Sequence, residues 1–160
     1  MKLRILIVAL LGLCVAIPLP GRAQTGPTDD VGPLAKVILH IGKASLTTEI
    51  AASPAQQERG LMYVTKLPDN DGMIFLLPKV ITAAFWMKNT LIPLSIAFID
   101  KNGVILEIHD MKAQDETITR SDSDQVAYAL ETNLHWFALN GIKPGDKIDP
   151  PPATLGKPVP

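Results

Sequence analysis

Residues 83–111 read AAFWMKNTLIPLSIAFIDKNGVILEIHDM, and this stretch decides the fold. Two apolar runs of strand length flank Lys101-Asn102-Gly103, a turn sequence, so the second half is a β-hairpin. A two-residue Asn102-Gly103 turn would set Phe98 against Glu107 and Ile96 against His109, putting charge into an apolar face. A three-residue loop with Gly103 left-handed instead pairs Phe98 with Leu106 and Ile96 with Ile108, and this register is the expected one. One face is then Leu94, Ile96, Phe98, Leu106 and Ile108. The other carries Ser95, Ala97, Ile99, Ile105, Glu107 and His109, with Ser95 opposite His109. In the strand before the hairpin, residues 82–88, Ala83, Phe85 and Met87 share one face, and Ala84, Trp86 and Lys88 the other. It breaks at the polar knot Lys88-Asn89-Thr90.

Working outward toward the N-terminus, the run Met73-Ile74-Phe75-Leu76-Leu77 has strand length. The loop before it, Pro68-Asp69-Asn70-Asp71-Gly72, reads as an Asx-rich turn, because it lacks the distal Glu of a calcium loop. Ser53-Pro54-Ala55-Gln56 combines a Ser cap, a Pro at the first helical position and a Gln three residues after the cap, which predicts a helix to about Met62. Within it Arg59-Gly60 has two readings, a surface cation beside a weak helix position or an anion clamp beside a close backbone approach. Residues 36–41 and 45–50 alternate like a hairpin about Gly42-Lys43, which leaves His40 facing solvent.

Downstream, residues 117–119 suit a short edge strand and residues 126–131 a longer one. Asn133 is placed to cap a helix over 134–139 that Asn140-Gly141 ends, and residues 142–148 close the domain as a strand. The C-terminal run 150–160 is Pro-rich and reads as an extended tail.

The start of the chain has a different composition. Lys2 and Arg4 precede an apolar run over 5–17, and Gly21-Arg22-Ala23 supplies small residues where a signal peptidase cuts, so residues 1–23 read as a secretory signal, with an uncleaved anchor as the alternative. Residues 24–35 follow as a flexible leader. The 160-residue chain then holds one domain, 36–149. Cys14 is the only cysteine, so the mature chain has no disulfide or thiol chemistry. Without Lys2, Arg4 and Arg22, 12 basic residues face 16 acidic ones, a formal charge of −4 that argues against nucleic acid and anionic membrane as partners.

Few groups suggest catalysis. His40, His109 and His135 have no zinc spacing, and no glycine-rich phosphate loop occurs. Ser95, His109 and Glu107 have the residue types of a hydrolytic triad, but Ser95 lies in mid-strand without a nucleophile elbow. What remains is a set of ligand-holding groups: Arg59, Trp86, Lys88, Asn89, Thr90 and Glu131. Trp86 beside Lys88 suits a sugar or an anion, or caps the core edge. Asn89 is set to satisfy backbone groups where the strand ends.

Several motifs occur in order across residues 37–148. They are Arg59-Gly60-Leu61-Met62, Gly72-Met73-Ile74-Phe75, Phe85-Trp86-Met87-Lys88-Asn89-Thr90-Leu91-Ile92-Pro93-Leu94, Ala97-Phe98-Ile99-Asp100, Tyr128-Ala129-Leu130-Glu131 and Gly145-Asp146. On these the chain resembles the domain-of-unknown-function family 192 (DUF192). The resemblance implies a small β-rich domain, often exported, with no activity to carry over. It departs at Ser95, where the family commonly has Asp. The expected fold is therefore α+β, a mainly antiparallel curved sheet or small barrel with two short helices. The expected function is a periplasmic or secreted binding module for a small polar or anionic ligand such as a saccharide, without cofactor or metal. A hydrolase using Ser95 and His109 and a structural domain that binds an envelope protein are the alternatives.

Overall fold

Period-two patterning, with Ile38 the exposed exception on the outer face, makes the first hairpin, β1 (Lys36–Ile41) and β2 (Ala44–Ala51), which bury Leu39, Ile41, Leu46 and Ile50 on one side. The computed structural model describes residues 31–150 and 152–155, so the signal, most of the leader and the end of the Pro-rich tail lie outside the described residues. α1 (Pro54–Arg59) begins at a complete capping box: the Ser53 hydroxyl accepts from the Gln56 N–H, and the Gln56 side chain accepts from the Ser53 N–H. It ends at Arg59, three residues short of the predicted end, because the next residue, Gly60, takes a positive φ of 46°.

The chain returns as β3 (Asp71–Ile81), parallel to β2, the one parallel pair in the sheet. Next come β4 (Ala84–Phe85), β5 (Leu94–Ile99), β6 (Ile105–Met111), β7 (Thr119–Arg120), β8 (Val126–Asn133), α2 (Trp136–Leu139) and β9 (Ile148–Asp149). Seven strands form one curled sheet in the order β6-β5-β8-β3-β2-β1-β9, and β4 pairs with β7 in a separate ribbon. The fold is α+β, a mostly antiparallel half-barrel with two short helices. Backbone bonds from Ile105 to Asp146, from Gly145 to Ile105 and from Ile148 to Gly103 draw the two edges of the sheet together.

Two cores result. The first takes side chains from both halves of the sheet, Leu39, Ile41, Ile74, Ile99 and Leu130 among them, and is closed by Trp136 and Phe137 of α2. The second lies on the other face of β3, β5 and β8. There Met73, Phe75, Ile96, Phe98 and Ala129 are covered by Leu61, Ala83 and Met87 from the connecting segments.

The hairpin register differs from the expected one for an identifiable reason. The loop is as predicted, with Asp100 N–H bonded to Val104 and Gly103 at φ 81°. A β-bulge then leaves Leu106 as an extra residue, so Ile99 pairs with Ile105 but Phe98 with Glu107, Ile96 with His109 and Ser95 with Asp110. Glu107 is tolerated on this face because its carboxylate is satisfied. It is held 2.7 Å from His109 Nε2 and accepts from the N–H groups of Asp122 and Ser123. His109 in turn packs its ring 5.6 Å from that of Phe98.

Other boundaries also move. The strand expected over 82–88 is hydrogen-bonded only at Ala84–Phe85, although Ala83 and Met87 are buried and Trp86 is not. The edge strand lies at Thr119–Arg120, and only Ile148–Asp149 of the expected closing strand pairs. Along β8, Val126 and Ala129 lie in the second core while Leu130 faces the first. Asn133 caps no helix; its amide donates to the carbonyls of Leu67 and Pro68, and α2 starts after a left-handed His135 at φ 65°. Pro152–Thr154 makes a 3-10 turn with Pro152 buried.

Candidate functional site

Glu131 stands in mid-strand on β8, directly between Met73 of β3 and Ile96 of β5. Period-two alternation sends Leu130 to the first core and therefore Glu131 to the second, where its neighbours on both sides are apolar. The residue is 4% exposed, its carboxyl has no hydrogen-bond or ion-pair partner among the described residues, and its oxygens keep some accessible surface. Burial alone pushes its pKa from the ordinary 4.5 up to about 8, so at neutral pH it carries a proton. Glu107, on the same face of the sheet, behaves in the opposite way. Burial pushes it up, but the hydrogen bonds from His109, Asp122 and Ser123 outweigh that and hold it below the ordinary value. Partners make the difference between these two acids.

Glu131 faces a recess of about 30 Å³, room for a group the size of one water. The end of α1 supplies one wall through Gln57, Glu58, Arg59 and Gly60, and Phe75, Phe85, Trp86 and Thr90 supply the other. α1 is pinned there by Gln57, whose amide donates to the carbonyls of Ala51 and Leu76. Gly60 is required at this corner: besides its positive φ, a Cβ would come within 3.3 Å of the Phe75 ring. The Phe75 and Phe85 rings meet edge to face at 5.1 Å. Past them the recess adjoins a cleft of about 250 Å³ that shares Gln57, Glu58, Phe75, Phe85 and Trp86 and extends to Ile81 and Ala84.

Of the six residues singled out in the sequence, Arg59, Trp86, Thr90 and Glu131 therefore line one recess. Arg59 is half-buried and makes no ion pair among the described residues, and Thr90 is buried with its hydroxyl unbonded among them. Lys88 does not enter. It is exposed and lies over the Trp86 ring, 5.2 Å from its centroid. Asn89 shapes the backbone instead: at φ 58° its carbonyl accepts from Tyr63 N–H, and its amide reaches only the Met62 sulfur at 4.0 Å. Gln57, Phe75 and Phe85 were missed, because an apolar run and a helix-surface amide read as packing until the two are brought together.

The proposed triad is dispersed. Ser95 points to the first-core face and its hydroxyl donates to Asp110 Oδ1 at 2.5 Å, while His109 and Glu107 face the second core. Ser95 Oγ also accepts from the His135 N–H at 2.8 Å, and Asp110 Oδ2 lies 3.0 Å from His135 Nδ1. The carboxylate at this corner thus comes from the facing strand, and the Ser95 proton goes to an acid rather than to a histidine. This cluster anchors the left-handed entry to α2. Ser95→Ala is expected to lower stability by about 2 kcal/mol, because the His135 N–H loses its acceptor. Urea unfolding measures this, and a variant as stable as the parent would show that the cluster holds nothing. No group of three or more His, Cys, Asp or Glu among the described residues is placed to hold a metal ion.

Comparison with known proteins gives a consistent picture. The DUF192 family model, Uncharacterized ACR, matches residues 37–150. A solved protein from Sinorhizobium meliloti 1021, named as a candidate transcription regulator, is 34% identical with a TM-score of 0.69, covering 72% of this chain and 94% of its own. A protein of unknown function from Novosphingobium aromaticivorans DSM 12444 is 33% identical with a TM-score of 0.69, covering 81% of this chain and 99% of its own. Comparison with curated proteins found no match.

Proposed function

The chain belongs to the DUF192 family, and on that premise we propose that it is an exported binding module for a small polar ligand, with saccharides the first class to test. One observation carries this reading: Arg59, Trp86 with Thr90, and Glu131, from three separate segments, line a single recess, and the Glu131 carboxyl at it has no partner among the described residues. A polar group buried without a partner costs stability, so a chain that keeps one at a cavity floor fits a ligand that supplies the partner. The adjoining cleft is open along the Trp86 ring, which is 43% exposed and suits the apolar face of a sugar. Arg59 is available to an anionic substituent. Export rests on the signal-like residues 1–23.

The regulator name belongs to the Sinorhizobium protein. For this chain the acidic balance without a basic cluster speaks against a nucleic-acid partner.

A thermal-shift screen against sugars and small organic acids tests the proposal. A ligand at a hundred times its Kd adds about 2.7 kcal/mol, which for a domain of this size raises Tm by roughly 10 °C. Trp86→Ala is expected to abolish the shift while leaving the unliganded Tm within a few degrees. A folded chain that shifts with no small molecule would sink the binding reading and favour a macromolecular partner.

A further inference from the structure

The recess differs in chemistry from the cleft beside it. Its two inner polar groups, the Glu131 carboxyl and the Thr90 hydroxyl, belong to buried residues, make no hydrogen bond among the described residues and keep their oxygens accessible at the recess. The carboxylate is an acceptor only and the hydroxyl oxygen accepts as well, whereas an ammonium offers three donors and no acceptor. Around them stand the rings of Phe75, Phe85 and Trp86, whose negative faces attract a cation. Trp86 already has one on it, the Lys88 ammonium. The volume of about 30 Å³ admits a water-sized head and excludes a bulkier quaternary one.

We propose that this recess is an ammonium site, which takes the protonated primary amine of a ligand so that it donates to the Glu131 carboxylate and the Thr90 hydroxyl within the ring of aromatic side chains. The inference rests on the binding-module reading and narrows its ligand to an aminated small molecule, such as an amino sugar, whose body lies in the cleft along Trp86. The charged groups facing the site are Glu58 and Arg59 from the end of α1 and Lys88 across the Trp86 ring. β3 and β5 contribute only Met73 and Ile96 beside Glu131. Since burial holds Glu131 protonated at neutral pH, the arriving ammonium displaces that proton to solvent and binding is linked to pH.

The test is an NMR titration of the chain with methylammonium, read at the amides of Thr90 and Glu131, with methanol as the neutral match in size. Millimolar affinity is expected from so small a probe. Affinity should rise about tenfold per pH unit from pH 6 to pH 8 and then level, since the free carboxyl must first lose its proton. Methanol should be silent. Glu131→Gln keeps the shape of the protonated acid and is expected to remain folded while losing the methylammonium response. At pH 7 glucosamine should bind at least tenfold more tightly than glucose.

Glucose binding with no response to methylammonium would overturn the ammonium site and leave the binding module standing. Methylammonium binding that persists in Glu131→Gln would overturn it as well. A folded chain that ignores both sugars and amines would remove both readings.

Discussion

Glu131→Gln is expected to raise the stability of the chain by about 3 kcal/mol at pH 8 and to leave it nearly unchanged at pH 4. The physical basis is the buried carboxyl between Met73 and Ile96, whose pKa is pushed from 4.5 to about 8 by burial. Between these values the unfolded chain has released the Glu131 proton and the folded chain still holds it. The unfolded state then binds fewer protons, so unfolding becomes easier as pH rises. Below pH 4.5 both states are protonated and there is no penalty; above pH 8 the penalty is complete. At about 1.36 kcal/mol per pH unit the ceiling is about 5 kcal/mol. Water entering the recess lowers the expectation to about 3 kcal/mol.

Glutamine has no proton to lose, so the variant should show a flatter stability profile across pH 4.5–8. Urea unfolding at pH 4, 6 and 8 measures it, and parallel profiles for the two proteins would show that Glu131 is not held protonated. A gain in stability on removing the acid would place Glu131 among residues kept for function at a cost to the fold.

Gly72→Ala should destabilise the chain by about 3 kcal/mol, at the upper end of what overpacking costs. Gly72 is in the middle of the sheet, opposite Thr48 on β2 and Thr132 on β8. A Cβ there would lie 2.5 Å from the Glu131 carbonyl oxygen and 3.2 Å from Leu46 Cδ2. Leu46 can turn aside, but the carbonyl belongs to β8 and yields only if the strand moves. The same movement would shift the Glu131 side chain, so ligand affinity should fall along with stability. Gly42→Ala provides the contrast. That glycine has a φ of 59° but nothing within 4 Å of a Cβ. Its cost should be the left-handed penalty alone, about 1 kcal/mol, with no effect on binding. Chemical denaturation of both variants checks the difference, and equal losses would contradict the close approach of β3 and β8.

Particular residues show how far the sequence could be read. The alternation of Val37, Leu39 and Ile41, the Ser53 to Gln56 capping box and the Lys101-Asn102-Gly103 loop are local, and each formed as its residue types require. The bulge at Leu106 was not legible. It depends on Asp122 and Ser123, which arrive from later in the chain to satisfy Glu107 and so remove the objection to an acid on that face. Helix α2 was misplaced for a similar reason: Asn133 had carbonyls at Leu67 and Pro68 to bond, 65 residues and more away in sequence.

The site divides along the same line. The motif Phe85-Trp86-Met87-Lys88-Asn89-Thr90 marked the right segment, yet strand alternation would group Trp86, Lys88 and Thr90 on one face. It is the turn at Lys88–Asn89, closed by the Thr90 N–H on the Met87 carbonyl, that leaves Trp86 and Thr90 lining the recess and Lys88 outside it across the Trp86 ring. Asn89 turned out to carry a left-handed backbone.

By itself the sequence determined the α+β class, the family and most strand positions, because hydrophobic period and turn chemistry act within a few residues. Only the tertiary structure decided that Glu131 is a buried residue whose carboxyl has no partner among the described residues, and that Arg59, Trp86 and Thr90 meet it at one recess. Burial and missing partners are properties of everything packed around a side chain, and those neighbours come from α1, β3, β5 and the segment after β3, which only the fold brings together.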